Sequence, residues 1–491
     1  MENFVTWLNG LVWSPILVIM LLGAGLFFTI ATRFAQVRHA IEMVRLTFEG
    51  KSSASGISSF QSLALSLGDK IGVGNIAGVA TAIAYGGPGA VFWMWVTGFL
   101  GMATSFIETT LAQVYKSKQD GEYRGGTPYY IEKALKLRPL AIVFAIMTMI
   151  TGAFLLPNVQ VNAISASLNS AFSINTHVTG IALMVVLALI IFGGIKRIAR
   201  TAEFVVPFMA VGYILVGLMI MVVNAGEIPG LFALILSSAF GTNATFGGMI
   251  GAAIAWGVKR GAFSNGAGFG SETYAPAAAE VSHPAKQGLV QSFATFIDTL
   301  AVCSITAFMI LITKSYNVIP AAGAPLANHL DGVEPGPLYT QAAIESVLPG
   351  WGSGTLSIAI LFFAFTSVMF YMYMADTGLA YIKRCFGITW KWPGVVLKLG
   401  FLACVYVGSV TSASFAWSLG DLGYGAMAWI NVVVIVLLAK PALRVLRDYE
   451  KQRKAGLDPV FDAVAAKVDG ADFWVNEPVS TPAPRLRREV K

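Results

Sequence analysis

Two short stretches place glycines, charges and amides where a bilayer-crossing helix would carry leucines. The first, 68–89, reads GDKIGVGNIAGVATAIAYGGPG and holds Gly68, Gly72, Gly74 and Gly78 together with Asp69, Lys70 and Asn75. Each glycine costs a helix about 1 kcal/mol against alanine, so four of them predict a broken helix. Unpaired backbone groups are too costly in hydrocarbon, so such a break must face protein or a water-filled cavity. A half-helix starting near Gly74 would aim free N–H groups and a positive dipole end at that cavity, which suits an anionic group. Close helix packing through Gly74 and Gly78 is the competing explanation of the same spacing.

The second stretch, 259–270, reads KRGAFSNGAGFG. Setting Asn75 against Asn265 brings Lys70 onto Arg260, Ala77 onto Ala267 and Gly78 onto Gly268. Both copies then read basic, four residues, Asn-x-Ala-Gly. Paired glycine interruptions in two halves of a chain point to a transporter binding site.

The chemistry implied is binding rather than catalysis. The scattered Cys303, Cys385 and Cys404, and His39, His177, His283 and His329, form no nucleophile, base or metal constellation. An enzyme is therefore not expected, nor any cofactor. A sensor or channel is disfavoured because the tail holds no recognisable output domain.

The elements that must position these residues follow from composition. With 56% hydrophobic and 12% charged residues and a mean hydropathy of +0.69, the chain reads as an all-α, multi-pass membrane protein, since soluble domains carry about 25% charged residues. Apolar stretches fall near 11–32, 58–85, 89–115, 139–170, 178–194, 203–223, 246–280, 288–312, 352–382, 395–410 and 417–439, giving eleven spans. The first is a retained span and not a cleaved signal. Basic residues fill alternate loops: Arg33, Arg38, Arg45 and Lys51; Lys116 to Arg138; Lys196, Arg197 and Arg200; Lys286; Lys383, Arg384 and Lys391. That alternation places the N-terminus outside and the C-terminus in the cytoplasm of a cell-membrane protein. It also explains the net charge of +7 without nucleic acid.

Setting the first span aside leaves ten, with breaks in the first and sixth. The two breaks enter the bilayer from opposite sides, so a five-plus-five inverted repeat is expected, 58–224 and 246–440, within a transmembrane domain of 1–440. The tail, 441–491, carries a basic run expected along the anionic inner leaflet and ends in a disordered STPAPRLRREV.

Other intramembrane polar groups are costly enough to need a role or a partner. Gln160, in LPNVQVNAIS, reads equally as a substrate contact or an interhelical hydrogen bond. Glu108 and Asp298 lie within spans, and Asp376 is expected to pair with Lys383. The aromatics Phe92, Trp93, Trp95, Trp256 and Trp417 read mostly as packing and interface belt. Mid-membrane Thr366 and Ser367, taken alone, read as hydroxyls back-bonding to their own helix.

GVGNIAGVATAIA with GGPGAVFWMWVTGFLG, then KRGAFSNGAGFGS, HPAKQG and FIDTLAVC, resemble the signature of the sodium:alanine (alanine or glycine:cation) symporter family across 58–440. The resemblance implies a leucine-transporter-like fold and import of a small neutral amino acid, alanine or glycine first, with sodium. Serine or glutamine as substrate, or coupling to protons, are the alternatives. It further implies that Gly72, Val73, Gly74 and Asn75 hold the substrate carboxylate, and that Phe263, Ser264, Gly266, Gly268 and Phe269 line the second break, whose carbonyls take the ammonium. Sodium would lie among Thr366, Ser367 and the carbonyls of Gly68, Ile71 and Phe363, in a protein working as a monomer.

Three departures stand out. Relatives commonly read S-N-E-A-G where this chain has Ser264-Asn265-Gly266-Ala267-Gly268. They commonly read G-S-A-P where it has Gly270-Ser271-Glu272-Thr273, and Asp69 stands where a small residue is usual. The expectation is that Asp69 pairs with Arg260 or Lys70, while Glu272 takes over part of the missing glutamate's role; the alternative is that Glu272 only pairs with a basic residue at the cavity wall, Lys70 or Arg260.

Overall fold

The computed structural model describes residues 2–476, with 51 and 244 excepted. Most of the described chain is helical, as it must be where only intrahelical partners can satisfy the backbone. Eight helices among the described residues are long and apolar enough to cross a membrane. They are α1 (Phe4–Ala31), α5 (Ala90–Val114), α6 (Arg138–Phe172), α8 (Gly194–Val223), α11 (Pro284–Ile312), α12 (Gly352–Phe386), α13 (Trp392–Val410) and α14 (Ala413–Leu437).

Three of the apolar stretches read from the sequence fall outside this set. One is the shorter α7 (Thr176–Ile191). The other two are the interrupted ones: α3 (Ser59–Lys70) followed by α4 (Ala77–Gly86), and α10 (Ile250–Asn265) followed by irregular chain. A further apolar helix, α9 (Ile228–Ala239), precedes α10. Its segment was assigned to no span by the sequence.

Burial sorts the helices into a centre and a rim. Of the most apolar windows of α11 and α12, 72% is buried, against 28% in α1 and 33% in α8 and α13. On α8 the exposed residues include Phe204, Phe208, Val211, Leu215, Leu218 and Val222, a stripe at helical spacing. A continuous exposed apolar stripe suits lipid and not water. At the centre, α10 and α11 both pack on α5, α6 packs on α12, and α3 is held between α8 and α12.

Local sequence fixes where α3 starts. Ser58 Oγ accepts the Gln61 N–H (3.1 Å) and Gln61 Oε1 accepts the Ser58 N–H (3.1 Å), a reciprocal cap. Just before it, Ile57 bridges to the chain after the second break, its N–H on Ala278 O (3.0 Å) and its carbonyl on Glu280 N–H (2.8 Å). The entry to one interrupted helix is thus tied to the exit from the other.

Besides its basic run, the tail has an apolar face that docks on the rest of the protein. Helix α15 (Ala439–Lys454) turns Ala442, Val445, Leu446 and Tyr449 inward and docks on the helix α2 (Ala40–Thr47) and the start of α11. Arg453 meets Glu42 (2.8 Å), Arg38 meets Glu450 (2.7 Å), and Lys286 meets Asp458 (2.7 Å). The acidic partners on α2 and on the tail itself leave fewer basic groups for lipid. The 480–490 segment expected to be disordered lies outside the described residues.

Candidate substrate and cation site

The first break begins where α3 ends at Lys70, continues through an extended Gly72 and a tight turn at Val73–Asn75, and gives way to α4 at Ala77. Asn75 holds the turn closed. Its Oδ1 accepts the Gly72 N–H (3.0 Å), and its Nδ2 donates to Asp298 Oδ1 (2.7 Å). Gln160 reaches the same place from α6: its Oε1 accepts the Val73 N–H (3.1 Å) and its Nε2 donates to Tyr371 OH (3.2 Å). The side chain therefore bridges helices, one of the two readings the sequence left open, and does so at the break itself.

The second break has a different construction. Helix α10 ends at Asn265, and Gly266, Gly268 and Gly270 follow with φ of +70, +90 and +78 degrees. Residues with a β-carbon rarely adopt such φ values, so glycine at alternate positions is the local reason the helix stops here. Glu108 from α5 caps the loop: its Oε1 accepts the Gly268 N–H (3.0 Å) and its Oε2 the Asn431 amide (2.9 Å). The ring of Phe263 packs against Trp417 and Tyr424 (both 5.2 Å between centroids), and Phe269 against Tyr424 (4.9 Å).

Asp298 joins the two. It lies in a π-helical turn of α11, 296–303, and accepts Asn75 from the first break, Ser264 Oγ from the second (2.9 Å) and its neighbour Thr299 Oγ1 (2.7 Å). A widened turn exposes extra main chain and re-aims side chains, and such turns gather at functional sites.

The aligned asparagines prove not to be equivalent. Asn75 lies in the turn that forms the first break, whereas Asn265 is the last residue of α10, before the second break begins. Lys70, likewise, is the last residue of α3, whereas Arg260 lies inside α10.

The expected sodium ligands largely come together. Ser367 Oγ donates to Gly68 O (2.7 Å) and lies 3.2 Å from Phe363 O; Thr366 Oγ1 donates to Phe363 O (2.9 Å) and lies 3.4 Å from Gly68 O. Both hydroxyls back-bond to α12 and also face the end of α3. Ile71 is buried at the same helix end, its N–H on Leu67 O (2.7 Å), and makes no hydrogen bond to either hydroxyl.

The charge pairing departs in part from expectation. Arg260 pairs with Asp421 (2.9 Å), shared with Lys259 (2.7 Å), and its guanidinium lies over Trp417 (4.5 Å). Lys70 pairs with Glu272. Asp69 takes neither cation; its Oδ1 accepts the Tyr424 hydroxyl (3.2 Å). Sequence adjacency misled here, since consecutive helical side chains point about 100 degrees apart. Asp376 pairs with Arg124 (3.0 Å) instead of Lys383. A β-carbon at Gly266 would stand 3.2 Å from Glu272 Cγ, so the Glu272 carboxylate does border the position where the missing glutamate would start.

Sequence reasoning missed Ser105, Tyr371, Tyr424, Asp421 and Asn431. Asp421 had a readable signal, as a lone carboxylate inside an apolar stretch; the two tyrosines had none, being ordinary in a membrane helix.

The sodium:alanine symporter family profile matches residues 1–463. A Bacillus subtilis protein named putative sodium/proton-dependent alanine carrier is 56% identical over 477 residues, covering 97% of this chain and 98% of its own length. A Bacillus sp. sodium/proton-dependent alanine carrier is 48% identical over 438 residues, 88% of this chain and 97% of its own. A Methanococcus maripaludis sodium/alanine symporter is 38% identical over 463 residues, 92% and 98% respectively. Matched along almost its whole length and closely identical to such carriers, the chain belongs to the sodium:alanine symporter family.

Proposed function

We propose that this protein imports a small neutral amino acid, alanine foremost, by symport with sodium, alternating access to a site between the two breaks. The observation that carries the reading is the convergence of three groups on one buried cluster: the Val73–Gln160 contact, the glycine-built end of α10, and the hydroxyls of Thr366 and Ser367 against Gly68 O. The substrate carboxylate goes to the N–H groups of 72–75, with Gln160 releasing Val73 to receive it. The ammonium goes to the carbonyls around 263–269 and to Asp69, a carboxylate already free of any cation. Phe263, Trp417 and Tyr424 wall the side-chain space and favour a small side chain. Sodium sits with Gly68, Phe363, Thr366 and Ser367, and Ile71 joins when its carbonyl turns.

In the membrane this reading uses eleven spans, an extra first helix with inverted repeats 58–224 and 246–440, an outer N-terminus, a cytoplasmic tail and a monomeric unit. Two relatives are named sodium/proton-dependent, so coupling to protons is the second reading. Labelled alanine uptake into proteoliposomes under an imposed sodium gradient, a proton gradient, or neither tests both. Uptake driven by the sodium gradient is expected; uptake indifferent to sodium would overturn the assignment of the coupling ion.

A further inference from the structure

Lys70 ends α3 at the first break, and its ammonium reaches the second. It donates to Asn265 O (2.5 Å), the carbonyl at the C-terminal end of α10, and to Glu272; it also lies 3.3 Å from Thr295 Oγ1 on α11. Neither the Lys70 nor the Glu272 side chain has any solvent exposure. The other oxygen of Glu272 accepts the Ser105 hydroxyl (2.5 Å).

The partners of this ammonium are a carbonyl at a helix end, a carboxylate and a hydroxyl. Those are hard oxygens, the donors a small hard cation takes, and the helix end adds a negative partial charge. A salt bridge kept only for stability is poorly explained at a fully dry position, where apolar residues of similar volume are often as stable or more so. The surroundings point the same way. Asp298 on α11 is held by Asn75, Ser264 and Thr299 and not by a cation, and Asp69 on α3 by Tyr424. Lys259 and Arg260 on α10 are engaged with Asp421. Positive charge between the breaks is thus supplied by Lys70.

We propose that the Lys70 ammonium is a tethered cation of the transport site: it fills a second cation position between the two breaks, so that the amino acid moves with one free sodium ion, and its removal makes transport demand a second. This rests on the sodium-coupled reading above. Gly266 belongs to the same arrangement, since a β-carbon there would press on Glu272 Cγ (3.2 Å) and Ser271 Oγ (3.2 Å) and displace the carboxylate from the ammonium.

The test is the steepness of sodium dependence in proteoliposomes at saturating alanine. Wild type should give a Hill coefficient of about one, and Lys70→Ala one rising toward about two with uptake recovered only at high sodium, since the coefficient is bounded by the number of coupled sites. Lys70→Ala with Glu272→Gln, which removes the carboxylate as well, should return to the shallow slope. A Lys70→Ala protein that keeps the wild-type slope overturns the proposal. If Lys70→Ala does not fold, as judged by a monodisperse detergent-extracted peak, two other variants decide. Lys70→Arg should keep the shallow slope. The exchanged pair Lys70→Glu with Glu272→Lys should fail, because it turns a carboxylate toward Asn265 O; restored uptake would mean an ordinary salt bridge and overturn the tethered cation. Wild-type uptake that ignores sodium would instead refute the sodium-coupled reading itself, so the two failures are distinct.

Discussion

Gly72→Ala is the substitution that most directly tests whether the cation and substrate groups share one space. Gly72 is extended, with φ −124 and ψ −154 degrees, a backbone that alanine adopts freely, so any cost must come from the added methyl. That β-carbon would stand 2.7 Å from Ser367 Oγ and 3.0 Å from Gln160 Oε1, where ordinary contacts begin near 3.4 Å. Ser367 must therefore retreat by about 0.7 Å, the difference between those two distances. Its 2.7 Å hydrogen bond to Gly68 O then stretches beyond bonding length. Overpacking of this kind costs about 1–3 kcal/mol, and a penalty of that size on the loaded state corresponds to about a 5–150-fold loss of affinity. The assay is alanine uptake against sodium concentration, and then sodium-saturated uptake against alanine; both half-saturation concentrations should rise. Gly78→Ala is the control, because its β-carbon would meet nothing nearer than Arg260 Cδ at 3.7 Å and should leave both values within a few-fold of wild type. Equal sodium dependence in the two variants would refute the shared space.

The double variant Thr366→Ala, Ser367→Ala should raise the sodium needed for half-maximal uptake by about tenfold or more, since hydrogen-bonding groups around a charge are worth about 1.5–3 kcal/mol; unchanged dependence would remove both hydroxyls from the cation site. Asp421→Ala leaves the buried Arg260 and the partly exposed Lys259 without their shared anion, a loss of about 3–5 kcal/mol that should appear as a lower thermal midpoint of the purified protein. The docked tail should loosen as pH rises. The Glu42 carboxylate (3.8 Å), and then Glu450 on the tail (3.1 Å), hold the His39 imidazole above its usual range against the opposing effect of burial. Because the docked value is the higher one, the Glu450 contribution is complete below the free histidine value of about 6.5 and is lost as pH climbs through the raised value. Protection factors over 439–454, which remove the intrinsic pH dependence of exchange, should fall between pH 6 and 8 in wild type and stay level in His39→Gln.

How far the site could be read in advance depended on the kind of signal. The breaks were legible because glycine clusters and charges are improbable inside apolar spans, and each was independently improbable. Their positions held to within a few residues: α3 stops at Lys70 and α10 at Asn265. Partner choice was only partly legible. Arg260 and Asp421 are 161 residues apart and Lys70 and Glu272 are 202 apart; the second pair was among the options and the first was not, because nothing in a single chain says which distant helix supplies the counterion. The docking of the tail was not foreseen for a related reason. Its basic residues were counted, but the i, i+3, i+4, i+7 spacing of Ala442, Val445, Leu446 and Tyr449, which marks a helix with a face to bury, was the stronger clue.

The distribution of formal charge around the breaks bears on why a cation, and not an anion, would be the coupled ion. Three cations, the buried Lys70 and Arg260 and the partly exposed Lys259, stand near five buried carboxylates, Asp69, Glu108, Glu272, Asp298 and Asp421. The cations are all engaged, with Glu272 and Asp421. Asp69, Glu108 and Asp298 are held by hydroxyls, amides and backbone N–H groups alone. Neutral donors steady a carboxyl group without supplying a counter-charge, so wherever one of these three is ionised, low dielectric makes it attract a cation far more strongly than water would. A zwitterionic amino acid brings no net charge to such a cluster, whereas sodium does. Loading the amino acid alone would leave the imbalance standing, and loading both relieves it. That difference gives the two ligands a physical reason to bind together.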